Sequence, residues 1–245
     1  MRDTVINKSE RIVRGTAFLV CFVFAAITLT RTLAGTRTES ILVAAATVML
    51  VFAPWLAERL FNRRLSTGLY LFCMFYAIGP MLGVCYNFYY RISWWDKMLH
   101  IFGGLAFALF GIYLFELLGG EGKRKRLVAA LFALCFSIAV SAVWEFAEFG
   151  ADQFLGMDMQ SDRIVHSIRS YSIGTGVGLT GIIEQIHTVS VNGKLLPIDG
   201  YLDIGLLDTM LDMLLESGGA LAVSLLYLVD KGEHFALRQE RGEHG

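Results

Sequence analysis

The chain has 245 residues, 55% of them hydrophobic and only 18% charged, a balance too apolar for an ordinary soluble domain. Its 21 Lys and Arg against 22 Asp and Glu give no basis for nucleic-acid binding. An all-α polytopic membrane protein remains, with membrane lipids as its surroundings and nothing in the sequence to set an oligomeric state.

The amino-terminal "MRDTVINKSERIVRG" is a basic flank before an apolar run that lacks a small-residue cleavage site, which reads as an uncleaved first span. A hydrocarbon core of about 30 Å needs about 20 apolar residues per helix, and six stretches meet that length. They run over roughly 15–34, 40–57, 66–88, 95–118, 127–150 and 204–229, making residues 1–245 one integral membrane domain. Pro54 and Pro80 mark irregular packing in the second and third spans. Cys21, Cys73, Cys85 and Cys135 lie in or beside apolar runs without CxxC spacing, so neither a disulfide framework nor a thiolate metal site is expected.

Short-loop basic residues set the orientation. Arg2, Lys8, Arg11 and Arg14 precede the first span; Arg59, Arg63 and Arg64 follow the second; "KRKR" (Lys123 to Arg126) follows the fourth; Lys231, Arg238 and Arg241 follow the sixth. All four groups share one side, which predicts cytoplasmic termini. "KRKR" reads as a topology anchor, with an anionic-lipid patch as the lesser role.

The fourth span opens with "WWDKMLH". Trp94 and Trp95 suit an interfacial belt, and Asp96 and His100 fall at i and i+4 on one helix face. The fifth span ends in "SAVWEFAEFGAD", where Glu145, Glu148 and Asp152 share an arc of about 60° together with Ser141. The sixth opens with "LLDTMLDMLLESGGA", where Asp208, Asp212 and Glu216 form an i, i+4 ladder. Given the topology, the three stripes belong to the external end of the bundle. Gly103-Gly104 and the "SGGA" of Ser217 to Ala220 predict close approach of spans four and six.

Residues 151–203 form an external loop or flap. In it "HTVSVNGKLLPIDGYLD" alternates around Asn192-Gly193, a type I′ hairpin signal. Gly174, Gly176 and Gly178 lack the Lys-Ser/Thr of a phosphate loop and read as flexible backbone.

Each acid at the membrane centre costs about 2.5–3.5 kcal/mol, so several together require protonation, pairing, water or a cation. Oxygen-rich ligands suit Mg²⁺, Mn²⁺ or Ca²⁺; zinc is less favoured because it prefers several His or Cys ligands. His100 alone of the five histidines falls in a span, since His166, His187, His234 and His244 lie outside. As a ligand it would tilt the choice towards Mn²⁺ or Zn²⁺.

"DKMLH" (Asp96, Lys97, His100), "WEFAE" (Trp144, Glu145, Glu148) and "DTMLDM…GA" (Asp208, Thr209, Asp212, Gly219, Ala220) together resemble the YjdF-type bacterial inner-membrane family, itself distantly similar to VanZ-like proteins. Met210 stands where YjdF-type sequences often carry glutamine, and Glu216 where VanZ-like ones tend to carry asparagine. The resemblance implies a multi-pass protein of the bacterial cytoplasmic membrane with a shared polar site, and no established reaction.

The expected function is a metal-dependent site acting on a lipid-linked or phosphorylated amphiphile at the external face. Glu145, Glu148, Asp152, Asp208 and Asp212 form the ligand pool, His100 oriented by Asp96 is the acid–base group, and Lys97 meets the headgroup. Whether this is an enzyme stays open. The alternative is an ion- or proton-coupled transporter or solute-binding protein, opposed by the apolar cytoplasmic halves of spans four and five and by the absence of an internal repeat. The structural alternative is a polar network gluing helices together.

Overall fold

A computed structural model describes residues 7–35, 37–61, 64–119 and 124–230. Arg2, Arg63, Lys123, Lys231, His234, Arg238, Arg241 and His244 lie outside the described residues. The helices are α1 (Lys8–Leu33), α2 (Thr38–Leu50), α3 (Ala53–Phe61), α4 (Thr67–Cys85), the single turn α5 (Phe88–Arg91), α6 (Trp95–Leu117), α7 (Lys125–Leu155) and α8 (Leu206–Val229). They supply six candidate membrane crossings, with α2 and α3 together making the second, over Thr38–Leu60. The chain is a polytopic helical membrane protein.

Helix ends follow local chemistry. α1 starts well before its apolar run because the Asn7 side chain accepts from the Glu10 N–H while Glu10 accepts from the Asn7 N–H, a reciprocal capping box. The second crossing breaks after Leu50, just before Pro54, whose missing N–H cannot sustain an uninterrupted ladder. Pro80, by contrast, sits inside α4 without ending it. At the end of α8, Arg126 donates to the carbonyls of Tyr227 and Asp230, and its guanidinium lies over the Tyr227 ring. That residue of the "KRKR" run closes a helix end, where carbonyls lack intrahelical partners.

The chain forms two compact units: Met1–Ser137 with Glu216–Gly245, and Ile138–Leu215. In the first, Ala108, Ile112, Ala129, Ala130, Ala133, Ala220, Val223 and Tyr227 form one core among α6, α7 and α8. Ala25, Ala44 and Met81 join α1, α2 and α4 in another. Small residues dominate both, as expected where helices must approach closely without a hydrophobic driving force between them. Trp94 is exposed, but Trp95 is buried and donates its indole N–H to the Gly79 carbonyl at 3.2 Å. Trp95 therefore belongs to the core and not to an interfacial belt.

A buried ion pair also sits in this unit. Arg14 and Glu58 are paired, Arg64 approaches the second Glu58 oxygen at 3.1 Å, and the Leu65 N–H donates to Glu58 at 2.9 Å. Arg14 lies over the Tyr70 ring at 4.2 Å as well. Arg14, one of the basic residues before the first span, is thus packed inside the protein.

The second unit carries the connection between α7 and α8, with three two-stranded antiparallel ladders. β1 (Ile164–Val165) pairs with β6 (Tyr201–Leu202), and β2 (Ile168–Ser170) with β3 (Gly181–Ile183). β4 (Ser190–Val191) pairs with β5 (Lys194–Leu195) around Asn192-Gly193, both at positive φ as a type I′ turn requires. Gly178 alone of the three spaced glycines takes a positive φ; Gly174 packs its backbone against the Leu179 carbonyl.

Candidate functional site

In the first unit the site grows from one close helix–helix contact. A Cβ on Gly104 would collide with the Glu216 carbonyl oxygen, and a Cβ on Gly219 would fall 2.5 Å from the Ile101 carbonyl. Bare glycine at both positions lets the backbones of α6 and α8 touch. Ser137 adds a hydrogen bond from α7 to the Gly104 carbonyl at 3.3 Å.

This contact delivers Glu216 to His100. Nδ1 of His100 lies 3.8 Å from a Glu216 carboxylate oxygen, and Nε2 lies 3.6 Å from Asp96, one helical turn earlier. His100 is 9% exposed and Glu216 3%. The other Glu216 oxygen is buried without a hydrogen-bond partner among the described residues. A neutral imidazole has one N–H donor and one lone pair, so between two carboxylates one nitrogen must present its lone pair to an anionic oxygen. That juxtaposition repels unless a proton or a metal cation lies between them. Lys97, predicted as a headgroup contact, is exposed.

In the second unit the predicted acids have diverse surroundings. Asp152 accepts backbone N–H groups at both oxygens, from Met159 at 2.6 Å and Gln160 at 2.9 Å, and so folds the exit from α7. Gln160 in turn donates to the Thr209 hydroxyl at 2.7 Å. Asp208 is buried and paired with Arg163. Asp203 prepares the start of α8 by accepting from the Leu207 and Arg163 N–H groups, at 2.7 and 2.8 Å. Glu148 accepts from the Trp144 indole at 2.8 Å. Glu145 is 3% exposed, and the Ser141 hydroxyl, one turn earlier on α7, is buried without a hydrogen-bond partner among the described residues. Asp212, 2% exposed, stands on α8 one turn before Glu216. In the connecting loop, partial burial and then the carboxylates of Asp158, Asp203 and Asp152 push the Asp162 carboxyl above its ordinary range.

A family model described as "Predicted membrane protein (DUF2238)" matches residues 15–231. The chain belongs to that family. An uncharacterized protein of Thermotoga maritima is 28% identical over 108 residues, covering 42% of this chain and 54% of the relative. The match thus spans about half the length of that relative. No solved structure matches.

Two residues of these surroundings were not among the predicted site residues. Glu216 continues the Asp208–Asp212 ladder, and that ladder was the signal that marks it. Arg163 carries no comparable signal, because a lone arginine in a long polar connection is indistinguishable from an exposed one until the loop folds.

Proposed function

We propose that this membrane protein holds a divalent cation on the buried carboxylate–histidine face of α6 and α8 and uses it on a lipid-linked or phosphorylated amphiphile. The observation supporting this reading most strongly is the His100 imidazole between the Asp96 and Glu216 carboxylates, with a further Glu216 oxygen buried without a hydrogen-bond partner among the described residues. A bound cation relieves both conflicts together, since it accepts a lone pair from nitrogen and from oxygen.

In this reading Glu216 is the principal carboxylate ligand of the first unit, and the sequence-based ligand pool of Glu145, Glu148, Asp152, Asp208 and Asp212 belongs to the second. His100 serves as ligand or acid–base group, oriented by Asp96, and Lys97 offers a point charge to an anionic headgroup. The carboxylate content favours Mg²⁺, Mn²⁺ or Ca²⁺, and the imidazole shifts preference towards Mn²⁺.

The proposed location is the bacterial cytoplasmic membrane, with both termini in the cytoplasm and the site at the external face. The basic residues flanking α1 and α3 support that orientation, and the resemblance of the "DKMLH", "WEFAE" and "DTMLDM" segments to YjdF-type and VanZ-like proteins supports the bacterial setting.

Elemental analysis of purified protein tests the cation, and lipid extracts of cells lacking or overproducing the protein test the substrate. Wild type should retain a divalent metal that Glu216→Gln and His100→Ala lose while still folding, and only wild type should restore the lipid profile. Equal metal content in all three proteins would overturn the reading. Ion-gradient-driven solute flux in proteoliposomes, with no change in lipid chemistry, would replace it with transport.

A further inference from the structure

The connection between α7 and α8 brings together another set of donor atoms, outside the candidate crossings. We propose that His166, His187 and Asp199 form a binding site for a transition-metal ion of the zinc class, separate from the cation proposed beside His100 and Glu216. One donor atom from each of the three lies within 4.8 Å of the others.

The fold explains why residues so far apart in sequence meet. His166 directly follows β1, His187 follows β3, and Asp199 precedes β6, the strand that pairs with β1. His166 is tied to Ile186 twice: the Ile186 N–H donates to the His166 carbonyl, and Nδ1 of the imidazole meets the Ile186 carbonyl, both at 3.0 Å. Ile186 is buried, so this anchor also fixes its neighbour His187. Next to Asp199, Gly200 adopts φ +135°, where a Cβ would press on the Val165 carbonyl at 2.9 Å and His166 Nδ1 at 3.3 Å. Only glycine takes that backbone readily, and it lets the chain run close against His166.

The hydrogen bonding leaves a ligand atom available. A carbonyl oxygen can only accept, so Nδ1 of His166 carries the proton and Nε2 keeps its lone pair. Metal-bound imidazoles are held in this way, by a carbonyl or carboxylate on the other nitrogen. His187 Nδ1 stands 2.8 Å from an Asp199 oxygen, and the two imidazole centroids are 5.7 Å apart. Ligands about 2.0–2.1 Å from a tetrahedral ion lie about 3.3 Å from one another. The side chains of His187 and Asp199 are 66% and 73% exposed, leaving them room to adjust and a further coordination position open to water. Two nitrogens and one carboxylate select zinc and its transition-metal neighbours over magnesium or calcium.

The test uses full-length protein purified in detergent with an affinity tag other than polyhistidine, stripped by chelator and then titrated with Zn²⁺ or Co²⁺ alone. Wild type should take up one more tightly bound zinc than His187→Ala, and should give the intense visible spectrum of four-coordinate cobalt. Asp199→Asn should weaken that equivalent by at least about tenfold. Glu216→Gln should leave it intact, which separates this site from the membrane-embedded one. Both loop substitutions fall on exposed side chains, and unchanged size-exclusion and circular dichroism profiles establish that the variants fold. Zinc stoichiometry and affinity identical in wild type, His187→Ala and Asp199→Asn would overturn the proposal, as would a wild type that binds no tight zinc.

Discussion

Glu216 meets α6 at both ends of its own residue: its carbonyl oxygen rests against Gly104, and its carboxylate reaches His100 one turn away. The backbone contact sets the helix spacing, and the spacing determines which acid the imidazole meets. Packing and chemistry are therefore linked at one position, and a side chain on Gly104 disturbs both.

Gly104→Ala should destabilise the protein by about 1–3 kcal/mol, because its new methyl strikes backbone that cannot rotate away. Gly218→Ala is the matched control, since among the described residues nothing lies within 4 Å of a Cβ there. It should be neutral or stabilise by up to about 1 kcal/mol through helix propensity. Thermal unfolding in detergent compares the two.

Removing the Glu58 carboxylate strands the buried Arg14 guanidinium. Glu58→Ala should cost about 3 kcal/mol or more, and Glu58→Gln less, since an amide still accepts from the Leu65 N–H. The exposed Arg37–Glu39 pair, at 3.1 Å, offers the contrast. There Glu39→Ala should change stability by under about 1 kcal/mol. Denaturation midpoints of the three variants rank the effects.

Arg163→Ala should leave the buried Asp208 carboxylate short of its cationic partner and loosen the entry to α8. The expected cost is about 1–3 kcal/mol. Faster amide exchange over residues 203–212, with little change in α1, locates the effect.

The hairpin turn depends on two residues at positive φ. Asn192→Val should loosen β4 and β5, because a β-branched side chain strongly disfavours the left-handed region. Proteolysis near residues 190–195 should accelerate while the helices stay intact.

Asp162 makes the loop sensitive to pH. Its folded-state carboxyl binds a proton more readily than in the unfolded chain, so the native contribution is favourable at low pH and is lost as pH rises through the raised value. At neutral pH, Asp162→Asn should slow proteolysis of the loop; below the ordinary carboxylate range it should change nothing. A faster rate at neutral pH would contradict this sign.

The crossings were legible in sequence because a bilayer demands length and apolarity, both properties of contiguous residues. Their ends were less so: α1 begins at Lys8 and α7 runs to Leu155, since polar first and last turns carry no hydropathy signal. Asn192-Gly193 was readable because the turn chemistry is local. The sequence does not decide Trp95, because tryptophan serves a belt or a core equally well and its hydrogen bond to Gly79 is tertiary. The approach of His100 to Glu216 depends on the rotational setting of two helices, which the glycines permit but do not name. His166, His187 and Asp199 meet only after β1 and β6 pair, so their spacing along the chain carries no metal-binding signature.

The Arg14–Glu58 pair also constrains how the protein is made. The two charges are 44 residues apart, so a ribosome feeding the chain into a translocation channel releases Arg14 long before its counterion exists. An unpaired guanidinium resists entering lipid. The first hydrophobic segment should therefore wait at the headgroup boundary until the following helix emerges, making the opening pair of crossings a single unit of biogenesis.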